Sequence, residues 1–322
     1  MATLQELLQR SSRTFAVGIG LLPTQLREEI SVAYLLLRVS DYLEDNRELD
    51  DDEKIALLGD WRRVLAGGGA RTFVDRLAGA AEDTPDAFVA RHTATVLRGL
   101  NELDSDAREI LVRRVRESSA GMARWTGRGP VFGTEADLDD YMHEVAGRVG
   151  HLLTELFVLR IPALGRESER MMRLGREFGL ALQTVNVIRG LHEDRDRGWI
   201  YVPVAFVPDP ETSPGELFDP SNRQAALAVL ARLVGKAERH LDAARAYIRL
   251  IPRRHHRVRL FCLLPLLYAV RTLALSRDNP DVLERETKMT RGEVVGITRK
   301  AWTLGFSNRW IDWYCRRLSI RA

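Results

Sequence analysis

The stretch YLLLRVSDYLED, residues 34–45, places Arg38, Asp41, Glu44 and Asp45 at the end of an otherwise apolar helix pattern. The residues before these charges are apolar on nearly every side, which predicts a buried helix. Asp41 and Asp45 lie four residues apart, so on a helix both carboxylates project from one face. Charges at the end of a buried helix are costly unless they are paired or bind a metal. The stretch therefore predicts either a solvated, ion-paired helix end or carboxylate ligands for a hard cation such as magnesium.

A second apolar helix pattern, FGLALQTVNVIRGLHEDRDRGWIY at residues 178–201, carries a comparable polar stripe. Its polar positions recur at helical spacing, so they fall on one face of the helix. One such face could be a structural polar cluster. Two are better explained by a shared site for a metal–phosphate ligand, because buried polar groups must find partners. The stripe comprises Gln183, Asn186, Gly190 and Glu193, with Arg189 four residues before Glu193 and Asp194 four residues after Gly190.

The composition is that of one globular chain with an unusual excess of arginine. No linker or shift in composition divides the 322 residues, so we expect a single domain over residues 1–322. Lysine accounts for only four of the 48 basic residues. The arginine excess indicates either a compositional bias of the source genome or anion binding, because guanidinium forks match phosphate oxygens. Acidic and basic residues are interspersed, which excludes the charge pattern of a nucleic-acid-binding protein.

The cysteines and the apolar runs predict a soluble protein of a reducing, cytoplasmic compartment. Cys262 and Cys315 are the only cysteines, too few for a disulfide framework or a zinc site. The N-terminus lacks the apolar region of a signal peptide, and the longest apolar run, residues 260–270, is too short to span a bilayer. The basic, aromatic residues 305–322 favour a docked amphipathic helix, with peripheral membrane contact as the alternative. The oligomeric state is left open.

Helical periodicity recurs nearly everywhere and strand alternation almost nowhere, which predicts an all-α bundle around a central cavity. Gly147 and Gly150 lie inside a predicted helix, where glycine costs about 0.5–1 kcal/mol relative to alanine. These two glycines indicate either close helix packing or space for a ligand chain. The predicted helices lie near residues 4–10, 24–45, 51–65, 71–79, 86–101, 106–124, 135–159, 165–193, 221–249, 255–277 and 291–318, the last with a break near Gly305.

Five segments of the sequence form an ordered set. They are SSRTFAVGI (11–19), YLLLRVSDYLED (34–45), YMHEVAGRVG (141–150), LQTVNVIRGLHEDRDRGWIYVP (182–203) and FCLLPLLYAVRTLAL (261–275). Together they resemble the head-to-head isoprenoid synthases, which are the squalene and phytoene synthases. The fifth is similar to a helix of squalene synthases rather than phytoene synthases. The resemblance implies an all-α isoprenoid synthase fold.

The resemblance also implies a magnesium-dependent condensation of two farnesyl diphosphates to presqualene diphosphate, followed by NADPH-dependent conversion to squalene. The departing diphosphate needs electrostatic stabilisation, which a metal held by carboxylates supplies. The carbocation that remains must be kept from water, so an apolar cavity is needed. The first two segments and the fourth therefore carry the chemistry that the reaction requires.

The resemblance assigns roles to individual residues of this sequence. The implied magnesium-binding set is Asp41, Glu44, Asp45, Asn186, Glu193 and Asp194. The implied diphosphate-binding set is Ser12, Arg13, Tyr34, Arg38, Gln183, Asn186 and Arg189. Tyr141, Glu144 and Arg189 are the candidate catalytic residues, and Lys288 and Arg291 are the candidate NADPH contacts.

Three positions depart from the family pattern. Gly190 stands where the second motif usually opens with Asp, Glu144 stands where squalene synthases usually carry Tyr, and Thr290 stands where a basic residue is common. These departures put the second metal site, the proton transfer and the use of NADPH in question. The alternatives are a related product (hydroxysqualene, dehydrosqualene, phytoene or a cyclised terpene) and a homologue that has lost catalysis and acts as a binding or assembly protein.

Overall fold

The structure, a computed structural model, describes residues 2–11, 13–77, 84–196 and 198–320, with the backbone alone at residues 13–15. Within these ranges it contains helices and no β-strand, so the all-α prediction is confirmed. The helices are α1 Leu4–Ser11, α2 Arg13–Gly20, α3 Thr24–Asp45, α4 Asp51–Leu65, α5 Ala70–Leu77, α6 Pro85–Arg91, α7 Thr93–Glu102, α8 Ser105–Arg128, α9 Glu135–Met142, α10 Arg148–Arg160, α11 Ser168–Asp196, α12 Arg223–Leu250, α13 His256–Ser276, α14 Arg291–Leu304 and α15 Asn308–Leu318.

The predicted helices differ from the observed ones mainly where a helix is interrupted. Helix α2 is not predicted from the sequence, and the helix expected at 86–101 is two helices that meet at His92. His92 has ψ 22°, outside the helical range, and its backbone N–H bonds to Val89 and Ala90 as a helix end does. The predicted break near Gly305 is confirmed, because α14 ends at Leu304.

Capping residues explain where several helices begin. Asp50 accepts a hydrogen bond from the Glu53 backbone N–H at the start of α4, while the Glu53 side chain bonds back to the cap. Thr290 and Glu293 form the same reciprocal arrangement at the start of α14. Each arrangement satisfies N–H groups that a helix end leaves without partners.

The contacts divide the chain into two compact units, and the single domain expected over 1–322 stays a prediction. The first unit comprises residues 1–129 and 151–168, and α3 packs there against α1, α4, α6, α7 and α8. Leu35, Leu36 and Val39 of α3 are fully buried, as the apolar pattern predicts.

The second unit comprises residues 130–150 and 169–322, with α13 packed against α12, α14 and α15. Helix α13 is long and apolar enough to cross a membrane by length and composition, contrary to the expectation that this run is too short. Its most apolar window is 78% buried inside the protein, as in the core helix of a soluble fold. Helix α15 buries Ile311, Tyr314 and Cys315, which confirms the predicted docked terminal helix.

The glycines of the VAGRVG segment serve close helix packing in the second unit. A side chain on Gly150 would collide with the backbone of Gly175 in α11, and one on Gly179 would collide with the carbonyl of Ala146. A side chain on Gly147 would meet Leu180 at 3.1 Å. The backbones therefore approach too closely for a ligand chain to lie between them. Of the two interpretations of Gly147 and Gly150, the structure supports packing.

Candidate active site

Arg38 lies at the centre of the first acidic motif, at the C-terminal end of α3. Its Nε donates a hydrogen bond to the hydroxyl of Tyr34, one turn earlier, at 3.0 Å. One terminal nitrogen lies 3.3 Å from the Asp41 carboxylate and 3.2 Å from that of Asp86. The guanidinium also lies over the Tyr34 ring, 5.3 Å from its centroid. Contacts with three residues thus fix the orientation of the one arginine in this motif.

Asp86 is a member of the first motif that the sequence analysis does not identify. It lies 48 residues from Arg38 in the sequence and is brought there by α6. The Thr84 side chain accepts a bond from the Ala87 backbone N–H, which fixes the start of α6 at Pro85, directly before Asp86. A Thr-Pro-Asp sequence is a signal for a helix start, but it does not reveal which arginine the Asp will meet.

The first motif holds more negative charge than Arg38 offsets. Burial, with smaller contributions from the charges of Asp45 and Asp86, raises the pKa of Asp41 to about 7 against the opposing effect of Arg38. Burial likewise raises the pKa of Asp86. Carboxylates crowded in this way gain most from an added cation, because each shift measures unfavourable ionisation.

The donor set suits magnesium bound together with a phosphorylated ligand. No group of three or more His, Cys, Asp or Glu residues with metal-binding geometry occurs in the described part of the chain. Magnesium is commonly held by one or two carboxylates plus substrate phosphates, not by a complete protein cage. Asp41 and Asp45 supply two such carboxylates on one helix face, with Glu44 half-buried beside them. The chemistry of these residues therefore fits the implied metal.

The second acidic motif, at the C-terminal end of α11, is more exposed than the sequence argument assumed. Val187, Ile188 and Leu191 are buried and hold the apolar face of the helix. On the polar stripe, Asn186 and Glu193 are exposed, whereas Gln183 and Asp194 are half-buried. The premise that these polar groups need partners because they are buried is therefore wrong for Asn186 and Glu193.

Gly190 leaves room for the carboxylate that the family pattern leads one to expect. A Cβ atom built on Gly190 would meet only Asp194 within 4 Å, at 3.5 Å from Oδ2, an ordinary contact. Compared with the family pattern, Gly190 therefore removes one negative charge and one possible metal ligand. Among the described residues, no neighbouring group fills the space that the side chain would occupy.

Tyr141 belongs to an aromatic cluster that includes the loop after the second motif. Its hydroxyl lies 3.1 Å from that of Tyr201, and the two rings stack with centroids 5.2 Å apart. Trp199 lies 5.8 Å from both rings, and Phe132 lies within 5.7 Å of both. Tyr201 stands in the quoted fourth segment, but its spacing gives no signal of a hydroxyl pair with Tyr141.

Glu144 lies in a single turn of π-helix, His143–Gly147, between α9 and α10. Turns of this kind are frequent at functional sites. Glu144 is buried and forms an ion pair with Arg148, whose other nitrogen donates to it at 3.2 Å. The role of Glu144 as a base stays a prediction.

Arg189 and Lys288, assigned to different ligands by resemblance, share one carboxylate in the structure. Glu286 lies 3.2 Å from the Arg189 Nε and also forms an ion pair with Lys288. Arg291, the other candidate NADPH contact, is exposed in the first turn of α14. Two further candidates, Ser12 and the side chain of Arg13, lie outside the described residues.

Comparisons with known proteins identify the family to which the chain belongs. The model of the squalene/phytoene synthase family matches residues 8–293. The squalene synthase of Schizosaccharomyces pombe is 30% identical over 300 residues, which cover 91% of this chain and 63% of that relative. Squalene synthase ERG9 of Saccharomyces cerevisiae is 30% identical over 324 residues, which cover 98% of this chain and 70% of ERG9.

A solved structure supports the fold across nearly the whole chain. TcSQS in complex with the ligand BPH1237 aligns with a TM-score of 0.82 at 26% identity, covering 98% of this chain and 90% of that chain. The isoprenoid synthase fold implied by the sequence is therefore confirmed. The chain spans less than two thirds of the length of the S. pombe relative. It belongs to the squalene/phytoene synthase family.

Proposed function

We propose that the protein condenses two farnesyl diphosphates head to head, first to presqualene diphosphate and then to squalene. The observation that carries this proposal is the first acidic motif, in which Arg38 is fixed by Tyr34 among the carboxylates of Asp41 and Asp86. Such a group of charges suits the binding of a metal and a diphosphate together. The family membership and the ordered segments support the same reaction class.

The residues of this chain have separable tasks in the proposed reaction. Bound magnesium would offset the negative charge that develops on the departing diphosphate. Asp41 and Asp45 would hold the metal, while Arg38 donates charge-assisted hydrogen bonds to diphosphate oxygens. Tyr141 would accept or return a proton at its hydroxyl, oriented by the hydroxyl of Tyr201. An apolar cavity of the kind predicted from the sequence would exclude water from the cation.

The second half of the reaction, which consumes NADPH, is a separate part of the proposal. Lys288 and Arg291 are the candidate contacts, and both side chains are exposed cations. Guanidinium and ammonium groups bind phosphate oxygens, although only the former does so as a fork. Thr290 lies between them and adds no charge, and its hydroxyl is engaged in capping α14.

Product analysis with purified protein tests the proposal. We expect farnesyl diphosphate and magnesium to give diphosphate release and presqualene diphosphate, and added NADPH to give squalene. Farnesyl and geranylgeranyl diphosphates are compared, with and without NADPH, and the lipids are identified by mass spectrometry. A product that is the same with and without NADPH would contradict the reductive step. No magnesium-dependent diphosphate release, together with tight binding of a protein partner, would favour an assembly role.

We also propose that the protein is cytoplasmic and docks peripherally on anionic membranes through the segment 291–320, which contains α14 and α15. Six of the nine large apolar side chains that are exposed among the described residues lie here. The only acidic residues of this segment, Glu293 and Asp312, are paired with Arg271 and with Arg245 and Arg249. The exposed apolar residues are Val295, Trp302, Leu304, Phe306, Trp313 and Ile320, and the exposed basic residues are Arg291, Arg299, Lys300, Arg309, Arg316 and Arg317.

Exposed tryptophans beside unopposed basic residues favour an anionic lipid surface over a neutral one. Each basic residue near such a surface contributes about 1 kcal/mol, and aromatic rings insert at the headgroup level. We expect co-sedimentation with phosphatidylserine-containing vesicles and little with pure phosphatidylcholine. Trp302→Gln with Trp313→Gln should abolish it, whereas Val131→Gln, at an exposed valine elsewhere, should not. Equal binding to both vesicles, or a dimer that the tryptophan substitutions dissolve, would overturn the membrane proposal.

A further inference from the structure

Glu286 bridges two cations in the loop between Leu283 and α14. One carboxylate oxygen lies 3.2 Å from the Nε of Arg189, and the other forms an ion pair with the Nζ of Lys288. The Glu286 side chain is 18% exposed, compared with 44% for Arg189 and 70% for Lys288. The carboxylate is therefore the most enclosed member of the trio, with a cation on each side.

A carboxylate in this position is chemically a substitute for a phosphate. Arginine and lysine bind carboxylates and phosphates through the same charge-assisted N–H bonds, and both anions present oxygens of similar spacing. An external phosphate oxygen that contacted both Arg189 and Lys288 would lie where the Glu286 carboxylate lies now. The two anions therefore compete for one site, because their charges repel at such distances.

We propose that Arg189 and Lys288 form a single oxyanion site and that Glu286 is its internal competitor. The proposal rests on the proposed function only in naming the ligand class, which is a diphosphate or another phosphorylated group. A phosphorylated ligand must displace Glu286 from at least one cation before it binds both. A dianion or trianion gains more from these cations than a carboxylate does, so Glu286 selects against weakly charged anions.

The loop is built so that Glu286 can move without disturbing the fold. Val282 and Leu283 are buried and anchor its beginning, and the reciprocal Thr290–Glu293 cap anchors its end. Between these anchors the chain has no helix, so a change in side-chain rotamer or loop backbone breaks no helical hydrogen bond. The competitor is thus held by its two ion pairs and not by the core.

The same loop offers a matched control. Glu284 lies two residues earlier and also forms an ion pair with an arginine, Arg223, but its side chain is 64% exposed. Replacing Glu284 removes one negative charge and one ion pair from the same loop. It leaves the Arg189–Lys288 pair and its carboxylate unchanged. Any effect of overall charge or of loop stability should therefore be common to both variants.

Binding of inorganic pyrophosphate, measured by calorimetry without metal, tests the inference. Glu286→Gln should tighten binding about two- to tenfold, the range expected when one ion-pair competitor is removed. Glu286→Ala should tighten binding in the same way. The control Glu284→Gln should leave the affinity for pyrophosphate near that of the wild type. Thermal melting checks that each variant is folded. In an Arg189→Gln background the effect of Glu286→Gln should largely disappear.

Unchanged or weaker pyrophosphate binding in folded Glu286→Gln and Glu286→Ala would overturn the inference, and so would equal tightening by Glu284→Gln. Inorganic phosphate provides a second probe: removing Glu286 should strengthen its binding more in the wild-type cation background than in Arg189→Gln. The binding assay requires no turnover. Failure to convert farnesyl diphosphate would therefore contradict the proposed function without affecting this result.

Discussion

The two acidic motifs differ in how far the protein itself completes them. In α3, Arg38 is fixed by Tyr34 and faces the carboxylates of Asp41 and Asp86, so cation and anions are already in place. In α11, Gly190 supplies no carboxylate, and the motif's Arg189 is engaged by Glu286 from a distant loop. Under the proposed function, the first motif holds its cation and anions in place before a metal and a diphosphate bind, whereas the second exchanges an internal ion pair for its ligand.

The largest expected effect comes from removing charge in the first motif. Asp41→Asn and Asp45→Asn should each lower turnover of farnesyl diphosphate at least about tenfold, which is a loss of about 1.4 kcal/mol of transition-state stabilisation. Steady-state diphosphate release at several magnesium concentrations measures it. Asp75→Asn, at an exposed aspartate of α5, is the matched control. Unaltered turnover in both motif variants would remove α3 from the mechanism. The first motif would then not be the more complete of the two.

Completing the second motif should have a smaller effect in the opposite direction. Gly190→Asp places a carboxylate four residues from Asp194, and the space at Gly190 allows it. We expect magnesium affinity to rise several-fold, because a second carboxylate on one helix face adds a ligand and charge. Calorimetric titration of magnesium measures it, with Gly190→Asn as the uncharged control. Unchanged affinity in a folded variant would mean that position 190 does not belong to a metal site here.

The local structure of both motifs could be predicted from the sequence, because it depends on nearby residues. The bounds of α3 are those predicted, since Pro23 directly precedes its first residue and its charges end at Asp45. The stripe on α11 also follows from helical spacing alone. The break of the predicted 86–101 helix at His92 could not be foreseen, because apolar residues continue on both sides of it.

The partners of the motif residues could not be predicted, because they come from distant parts of the sequence. Asp86 reaches Arg38 across 48 residues, and Glu286 reaches Arg189 through a loop with no periodic pattern. Spacing rules describe which side chains share a face, but not which face another element covers. Family resemblance named Arg189 and Lys288 separately. Only the structure shows that one carboxylate engages both.

The hydroxyl pair after the second motif should contribute modestly to catalysis. Tyr201→Phe keeps the stacked ring but removes the hydroxyl 3.1 Å from that of Tyr141. We expect kcat to fall about two- to tenfold, the value of one hydrogen bond of roughly 0.5–1.5 kcal/mol. Tyr268→Phe is the control, because it removes a hydroxyl bonded to Thr298 elsewhere in the second unit. If Tyr201→Phe matches this control and keeps the wild-type pH profile, the pair has no role in proton transfer.

The smallest effect is expected at His240, which contacts α11 at Glu177, before the second acidic motif in the sequence. Its Nδ1 lies 2.6 Å from the Glu177 carboxylate, and its Nε2 lies 2.9 Å from the buried Lys236. Burial alone would lower the pKa of His240, but hydrogen bonds to Asp139 and Glu177 outweigh burial and the charge of Lys236, so the pKa is raised above 6.5.

A raised histidine pKa has a definite sign in the free energy of unfolding. The protonated form is favoured by folding, so this stabilisation is complete below pH 6.5 and is lost as the pH rises through the folded-state pKa. We expect the melting temperature to decline above pH 6.5 and His240→Gln to flatten that decline. Lys236, Glu135 and Arg176 also lie near this cluster. His255→Gln is the control, because burial and the charge of Arg254 lower the pKa of His255 instead of raising it. A wild-type melting temperature that rises over this pH range, unchanged by His240→Gln, would show that α11 is anchored without a charged histidine.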